Sequence, residues 1–226
     1  MSKTMWSAAI CFADLARLSE TVDTLAESGC AEVHVDITDG DFAPGFTLGY
    51  DFIRALKGCT SLPIHAHLMV QNPERHIKDC ADAGCSRITI HAEATPHAHR
   101  ALQQIRSLGI EVGIALKPGS PLTKLEYLIP HADYVHLILE DRGAERSIPM
   151  PVIFERIKIL RSSLDYQESP AKLVAEGYMN AKNAASAIVH GADMIVWDNA
   201  AVFAEGDLVE NITDFLAQVD VEQNIT

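Results

Sequence analysis

The sequence predicts a single-domain parallel (β/α)8 barrel, the TIM-barrel architecture, over residues 1–226. Three observations carry that reading. A short apolar run, a loop and an amphipathic stretch alternate from end to end, the order that builds a parallel sheet with crossover helices. Small hinges (Ser28-Gly29-Cys30-Ala31, Ala83-Gly84-Cys85, Leu108-Gly109, His131-Ala132-Asp133, Gly191-Ala192-Asp193) each precede an apolar run, as a helix C-cap feeding a strand should. The count is eight strands and eight helices. A doubly wound open sheet is the competing architecture, and it lacks a GxGxxG turn after the first strand.

The first strand falls near 5–11 and places Ser7, Ala9 and Cys11 on one face; its helix lies near 13–28. The second strand, near 31–38, has the clearest pattern. Val33, Val35 and Ile37 alternate with His34, Asp36 and Thr38, so one face is apolar and the other carries an imidazole and a carboxylate. A helix near 50–57 leads to the third strand, near 62–69, where His65, His67 and Met69 share a face. Helix 73–83 precedes strand 86–91, which closes on His91-Ala92-Glu93. Helix 97–108 precedes strand 110–116 and then Lys117-Pro118-Gly119. A helix near 121–129 joins strand 133–139, with His136, Ile138 and Glu140 on one face. Helix 150–162 and a bottom loop at 163–170 lead to strand 171–176, ending Ala175-Glu176-Gly177. Helix 180–189, strand 193–198 (ending Trp197-Asp198-Asn199), helix 206–218 and a frayed tail at 220–226 complete the chain.

Composition narrows the function classes. Hydrophobic residues form 48% of the 226, enough for a real core, and 22% charged residues argue against disorder. The net charge of −13 repels phosphate backbones, so neither nucleic acid nor an anionic membrane is an expected partner. The start, Met1 to Trp6, lacks the apolar core of a signal peptide, and no apolar run approaches about twenty residues. Five cysteines, odd in number and without CxxC spacing, read as structural thiols in a reducing compartment rather than a zinc or redox site. A cytoplasmic protein is expected.

In a barrel of this kind the reactive groups lie at the C-terminal strand ends. His34, Asp36, His67 and Glu176 could surround one divalent ion there, because neutral imidazole and carboxylate suit Zn2+, Mn2+, Fe2+ or Co2+. A lone histidine on an apolar strand is more often a hydrogen-bonded core residue. Here three of the ten histidines face inward on neighbouring strands beside a carboxylate that is costly to bury alone.

Several stretches carry a resemblance: Ser7-Ala8-Ala9-Ile10-Cys11-Phe12-Ala13-Asp14, His34-Val35-Asp36-Ile37-Thr38-Asp39-Gly40, His67-Leu68-Met69-Val70, His91-Ala92-Glu93-Ala94 and Asn180-Ala181-Lys182-Asn183. Over nearly its whole length the chain resembles the ribulose-phosphate 3-epimerase family. The resemblance implies metal-assisted proton transfer beside a ketone, through a cis-enediolate held by the metal and reprotonated on the opposite face. By position, Asp36 is then one acid/base and a ligand, and His34 and His67 are further ligands. Glu176 replaces the aspartate of a Val-Asp-Gly-Gly run as second acid/base and fourth ligand. Ser7 is expected near the substrate oxygens and Met69 over the enediolate.

The departures lie in the substrate pocket. A glycine-rich phosphate loop after strand six, Asn-Pro-Gly-Phe-Gly-Gly-Gln in the family, is here Asp141-Arg142-Gly143-Ala144-Glu145-Arg146-Ser147. A Gly-Ser segment after strand eight becomes Asp198-Asn199, the glycine after Gly177 becomes Tyr178, and Lys117 replaces an asparagine. The expected substrate contacts are Ser7, Met69, Lys117, Arg142, Gly143, Arg146, Gly177, Asp198 and Asn199. Three readings follow: a ketose 3-epimerase with altered specificity, an authentic ribulose-5-phosphate 3-epimerase with a divergent loop, and a non-catalytic ligand-binding barrel. The first is preferred, with a small-molecule ketose as substrate and a homo-oligomer as the expected assembly.

Overall fold

A computed structural model describes residues 4–140 and 148–225. Eight parallel strands close on themselves in sequence order, β1-β2-β3-β4-β5-β6-β7-β8, which excludes the open-sheet alternative. The elements are β1 (Met5–Ala9), α1 (Leu18–Glu27), β2 (Glu32–Thr38), α2 (Tyr50–Cys59), β3 (Ile64–Met69), α3 (Ile77–Ala83), β4 (Arg87–His91), α4 (Ala98–Ser107), β5 (Glu111–Leu116), β6 (Tyr134–Ile138), α5 (Met150–Tyr166), β7 (Lys172–Glu176), α6 (Ala181–Val189), β8 (Met194–Trp197) and α7 (Leu208–Gln223).

Seven α-helices are described, not eight. The stretch read as a helix near 121–129 is instead two 3-10 turns, Leu122–Leu125 and Ile129–His131. Pro121 caps the first turn, and Pro130, which has no N–H to donate, cannot continue an α-helical ladder through the second. The first strand is also shorter than expected: it stops at Ala9, and Ile10–Phe12 form a 3-10 turn. Residues 163–166, read as loop, continue α5, and much of the expected frayed tail continues α7. Asp207 caps α7 by accepting from Val209 N and Glu210 N, and Asn180 caps α6 through Asn183 N. Among the described residues no helix is long and apolar enough to cross a membrane.

Strand register sorts side chains into two shells. Val33, Val35, Ile64, Leu68, Ile88, Ile90, Val112, Ile114, Leu173 and Ile195 point outward and are fully buried against the helices, forming the main core. The inward set is unusually polar. Ser7 pairs in register with Glu32, His34 with His65, Asp36 with His67, His67 with Thr89, and Ile138 with Glu176. A small apolar cluster (Ala9, Val174, Met194, Val196) fills part of the interior beside them. Burying so many polar groups costs free energy unless each finds a partner, so the interior is organised as a hydrogen-bonded network.

Candidate metal centre and the cavity above it

Alternation along β2 puts Glu32, His34 and Asp36 inside the barrel at three successive depths, and β3 brings His65 beside His34 and His67 beside Asp36. The C-terminal end of β2 is pinned by Thr47, whose hydroxyl donates to the Asp36 carbonyl at 2.6 Å. Asp39, just beyond, accepts from Asp41 N, Phe42 N and Gln71 N, which ties the loops after β2 and β3 together.

His34, Asp36, His67 and Glu176 converge. His34 Nε2 lies 2.9 Å from Asp36 Oδ1 and 3.4 Å from Glu176 Oε1, while His67 Nδ1 lies 3.2 and 2.9 Å from the same two oxygens. All four ligand atoms fall within 4.8 Å of one another. Burial disfavours charge on every one of them, yet the carboxylates outweigh it and raise the His34 imidazole to about 10 and His67 in the same direction. Conversely, although burial works against their ionisation, the imidazoles hold Asp36 and Glu176 well below the usual carboxylate range. Two buried carboxylates therefore need about two positive charges here. A divalent ion ligated by two neutral imidazoles and two carboxylates supplies that charge with a donor set suited to Zn2+, Mn2+, Fe2+ or Co2+, so the residues fit such an ion.

Supporting groups surround the cluster. His67 Nε2 lies 2.9 Å from His91 Nε2, and His91 Nδ1 is 3.5 Å from Glu93 Oε2. Glu93 Oε1 also accepts from Lys117 N, and burial notwithstanding, these contacts bring its pKa down to about 2. His136 Nδ1 lies 3.3 Å from Glu176 Oε2, and burial lowers that imidazole to about 3, leaving it a neutral donor. Such partners fix the orientation of metal ligands. The sequence places His91 and His136 at strand ends without marking a role for either; inward parity with Thr89 and Ile138 is the signal that could find them. A second convergence, Glu32 with His34 and His65, is not a cation vacancy. Arg87 pairs with Glu32 and approaches His65 Nδ1 at 3.2 Å, so the cation there is a guanidinium.

Above the four-residue cluster opens a cavity of about 270 Å³ lined by Ala9, Phe12, Asp36, Met69, Ile138, Glu140, Glu176, Gly177, Tyr178, Val196, Asp198 and Asn199. The structure thus brings Met69, Gly177, Asp198 and Asn199 to the same space as the two carboxylates. Ser7 is elsewhere. It is fully buried one layer lower and donates to Glu32 Oε1 at 2.7 Å, while Ala9 takes the lining position on β1. The β1 alternation placed Ser7 and Ala9 on one face but did not say which reached the mouth. Lys117 is also absent from the lining, because its ammonium donates to the Phe42 carbonyl at 3.2 Å and sits 3.9 Å over that ring. Arg142, Gly143 and Arg146 lie outside the described residues.

A (β/α)8 barrel with a buried histidine–carboxylate centre under an open C-terminal mouth has the arrangement of a barrel enzyme. The chain belongs to the ribulose-phosphate 3 epimerase family, whose model matches residues 6–203, and it is accordingly an isomerase of the epimerase type. It is 34% identical to a ribulose-phosphate 3-epimerase from Synechocystis sp., over 94% of this chain and 93% of that one. It is 33% identical to the chloroplastic ribulose-5-phosphate-3-epimerase of Arabidopsis thaliana (91% and 74% covered) and 30% identical to the Bacillus subtilis ribulose-phosphate 3-epimerase (89% and 93%). Among solved structures, a mutant tryptophan synthase α-subunit from Pyrococcus furiosus superposes with a TM-score of 0.70 at 15% identity, covering 98% and 100% of the two chains. Orotidine 5'-phosphate decarboxylase from Pyrococcus horikoshii gives 0.68 at 18%, covering 96% and 99%. Those two likenesses concern the barrel alone.

Proposed function

We propose that this chain is a divalent-metal-dependent ketose 3-epimerase that inverts the carbon beside a ketone through a cis-enediolate. One observation carries the reading: two buried carboxylates, Asp36 from β2 and Glu176 from β7, meet under one cavity and both line it. A carbon seated between them presents a different face to each. One carboxylate removes the proton and the other returns a proton on the opposite side, which inverts the centre. His136 supports Glu176 in its anionic form through Oε2. Met69, packed with Phe42 and Ala94, covers the site with apolar surface that keeps water from the reacting carbon. Held by His34, Asp36, His67 and Glu176, a divalent ion (Zn2+, Mn2+, Fe2+ or Co2+) supplies the Lewis acidity that makes the proton removable.

Five free cysteines suit the reducing cytoplasm as the working compartment. The small-molecule site at the barrel mouth leaves the outer helices available for association into a homo-oligomer. The test is deuterium wash-in from solvent at the carbon beside the ketone, over a panel of ketoses with and without phosphate. The Asp36→Asn and Glu176→Gln variants are each expected to lose about 10²–10⁴-fold in turnover. Normal turnover by Asp36→Asn would remove it from the acid/base role.

A further inference from the structure

In (β/α)8 barrels the loops after strands seven and eight frequently form a phosphate site from backbone N–H groups. Three such donors in this chain are already engaged by one side chain. Met179 N, after β7, donates to Asp198 Oδ2 at 3.1 Å. Ala200 N and Ala201 N, after β8, donate to Asp198 Oδ1 at 2.9 and 3.1 Å. Gly177 and Tyr178, both left-handed with φ of +101° and +51°, make the turn that carries Met179 N to this carboxylate. Asp198 is only 6% exposed and lines the cavity, so a side chain of the protein holds the place an anionic group of a ligand would take.

The remaining charges agree. The described lining includes Asp36, Glu140, Glu176 and Asp198, and no Lys, Arg or His. Asp36 and Glu176 belong to the cluster that a divalent ion neutralises, which leaves Glu140 and Asp198 as the other charged side chains of the described lining, both acidic. Lys117, the nearby cation the sequence suggested, is committed to Phe42. A dianionic phosphate would meet two like charges and find three of the backbone donors occupied. Hydroxyl groups, by contrast, can donate to those carboxylate oxygens. Building like charge against one ligand class is how a site rejects it.

We infer that the cavity selects a ketose whose end remote from the reacting carbon is uncharged, an unphosphorylated sugar, and that Asp198 sets this choice by standing where a phosphate would bind. The inference rests on the epimerase reading above and names its substrate class. It is tested on metal-loaded wild type, Asp198→Asn and Asp198→Ser, with ribulose and ribulose 5-phosphate as paired probes. Because the carbonyl end is common to both, contacts at the metal cancel in the comparison. Binding is read by calorimetry and deuterium wash-in on the same samples. Asp198→Asn keeps an acceptor oxygen for the loop N–H groups, which guards against loss of fold in the serine variant.

Wild type is expected to bind ribulose at least about tenfold more tightly than its 5-phosphate, and both variants to move that ratio about tenfold or more toward the phosphate. Equal or tighter binding of the 5-phosphate by wild type, a ratio unmoved in both variants, or binding of neither ketose overturns the inference. Absence of deuterium exchange from bound ribulose, with the binding ratio intact, instead overturns the epimerase reading and leaves the ligand class standing.

Discussion

Gly113 on β5 has room for a hydrogen and nothing larger. A Cβ built there would stand 1.9 Å from Thr89 Oγ1 and 2.8 Å from Thr89 Cβ. The hydroxyl that occupies this space lies 2.7 Å from His65 Nε2 and 3.3 Å from His136 Nε2, and His136 in turn reaches Glu176. One missing side chain on β5 therefore allows β4 to connect the lower interior to the Glu176 carboxylate. Gly113→Ala should push Thr89 aside and destabilise the fold by about 1–3 kcal/mol, the usual cost of overpacking a close-packed interior. Urea denaturation measures it. Adding Thr89→Ala removes the closest contact, so the double variant should recover part of the loss. A Gly113→Ala protein as stable as wild type would mean that this contact does not constrain the interior.

At the level of elements, β2 and β4 are linked by a buried ion pair between Glu32 and Arg87, with side-chain exposures of 6% and 1%. Ser7 and His65 also approach the same Glu32 oxygen, and Arg87 lies over the Tyr134 ring at 3.7 Å. Among the described residues, Arg87 Nε and Nη1 have no hydrogen-bond partner. Much of this was visible in the strand alternation, which put His34, Asp36, His65 and His67 on one side of β2 and β3. The partnership of Glu32 with Arg87 was not, because residues 55 positions apart meet only once the stagger between neighbouring strands is known. Nor does alternation tell upper from lower layers; the resemblance implies Ser7 at the substrate, and the register sets it one layer lower, against Glu32. The short segment 121–129 looked helical because apolar spacing alone does not register the prolines at its ends. Arg87→Leu alone should cost about 3–5 kcal/mol, since it strands a buried carboxylate, whereas Glu32→Leu with Arg87→Met should come within about 1 kcal/mol of wild type or exceed it. If the single and double variants lose the same amount in chemical denaturation, the pair is not what carries the cost.

For the molecule as a whole, an ion held by the candidate cluster would be a cross-link, because the four candidate ligands come from β2, β3 and β7 of one closed sheet. A ligand that binds only the folded state stabilises all of it, by about 2.7 kcal/mol at a free concentration one hundred times its Kd. For a chain of this size that is an upward shift of about 5–10 °C in Tm when a metal-stripped sample receives Zn2+, Mn2+, Fe2+ or Co2+. The net charge of −13 complicates the measurement, because any divalent cation screens the self-repulsion of the fold. Mg2+ and Ca2+ at equal ionic strength provide the control: both prefer all-oxygen coordination and should produce only the screening part of the shift. Asp36→Asn removes one ligand and one of the two charges that the ion balances, so it should abolish the specific part and keep the screening part. Equal shifts from Ca2+ and Mn2+, or an undiminished Mn2+ shift in Asp36→Asn, would place the stabilising ion somewhere other than this cluster. A specific shift lost with Asp36 would tie the stability of the barrel to the same four side chains on which the proposed chemistry depends.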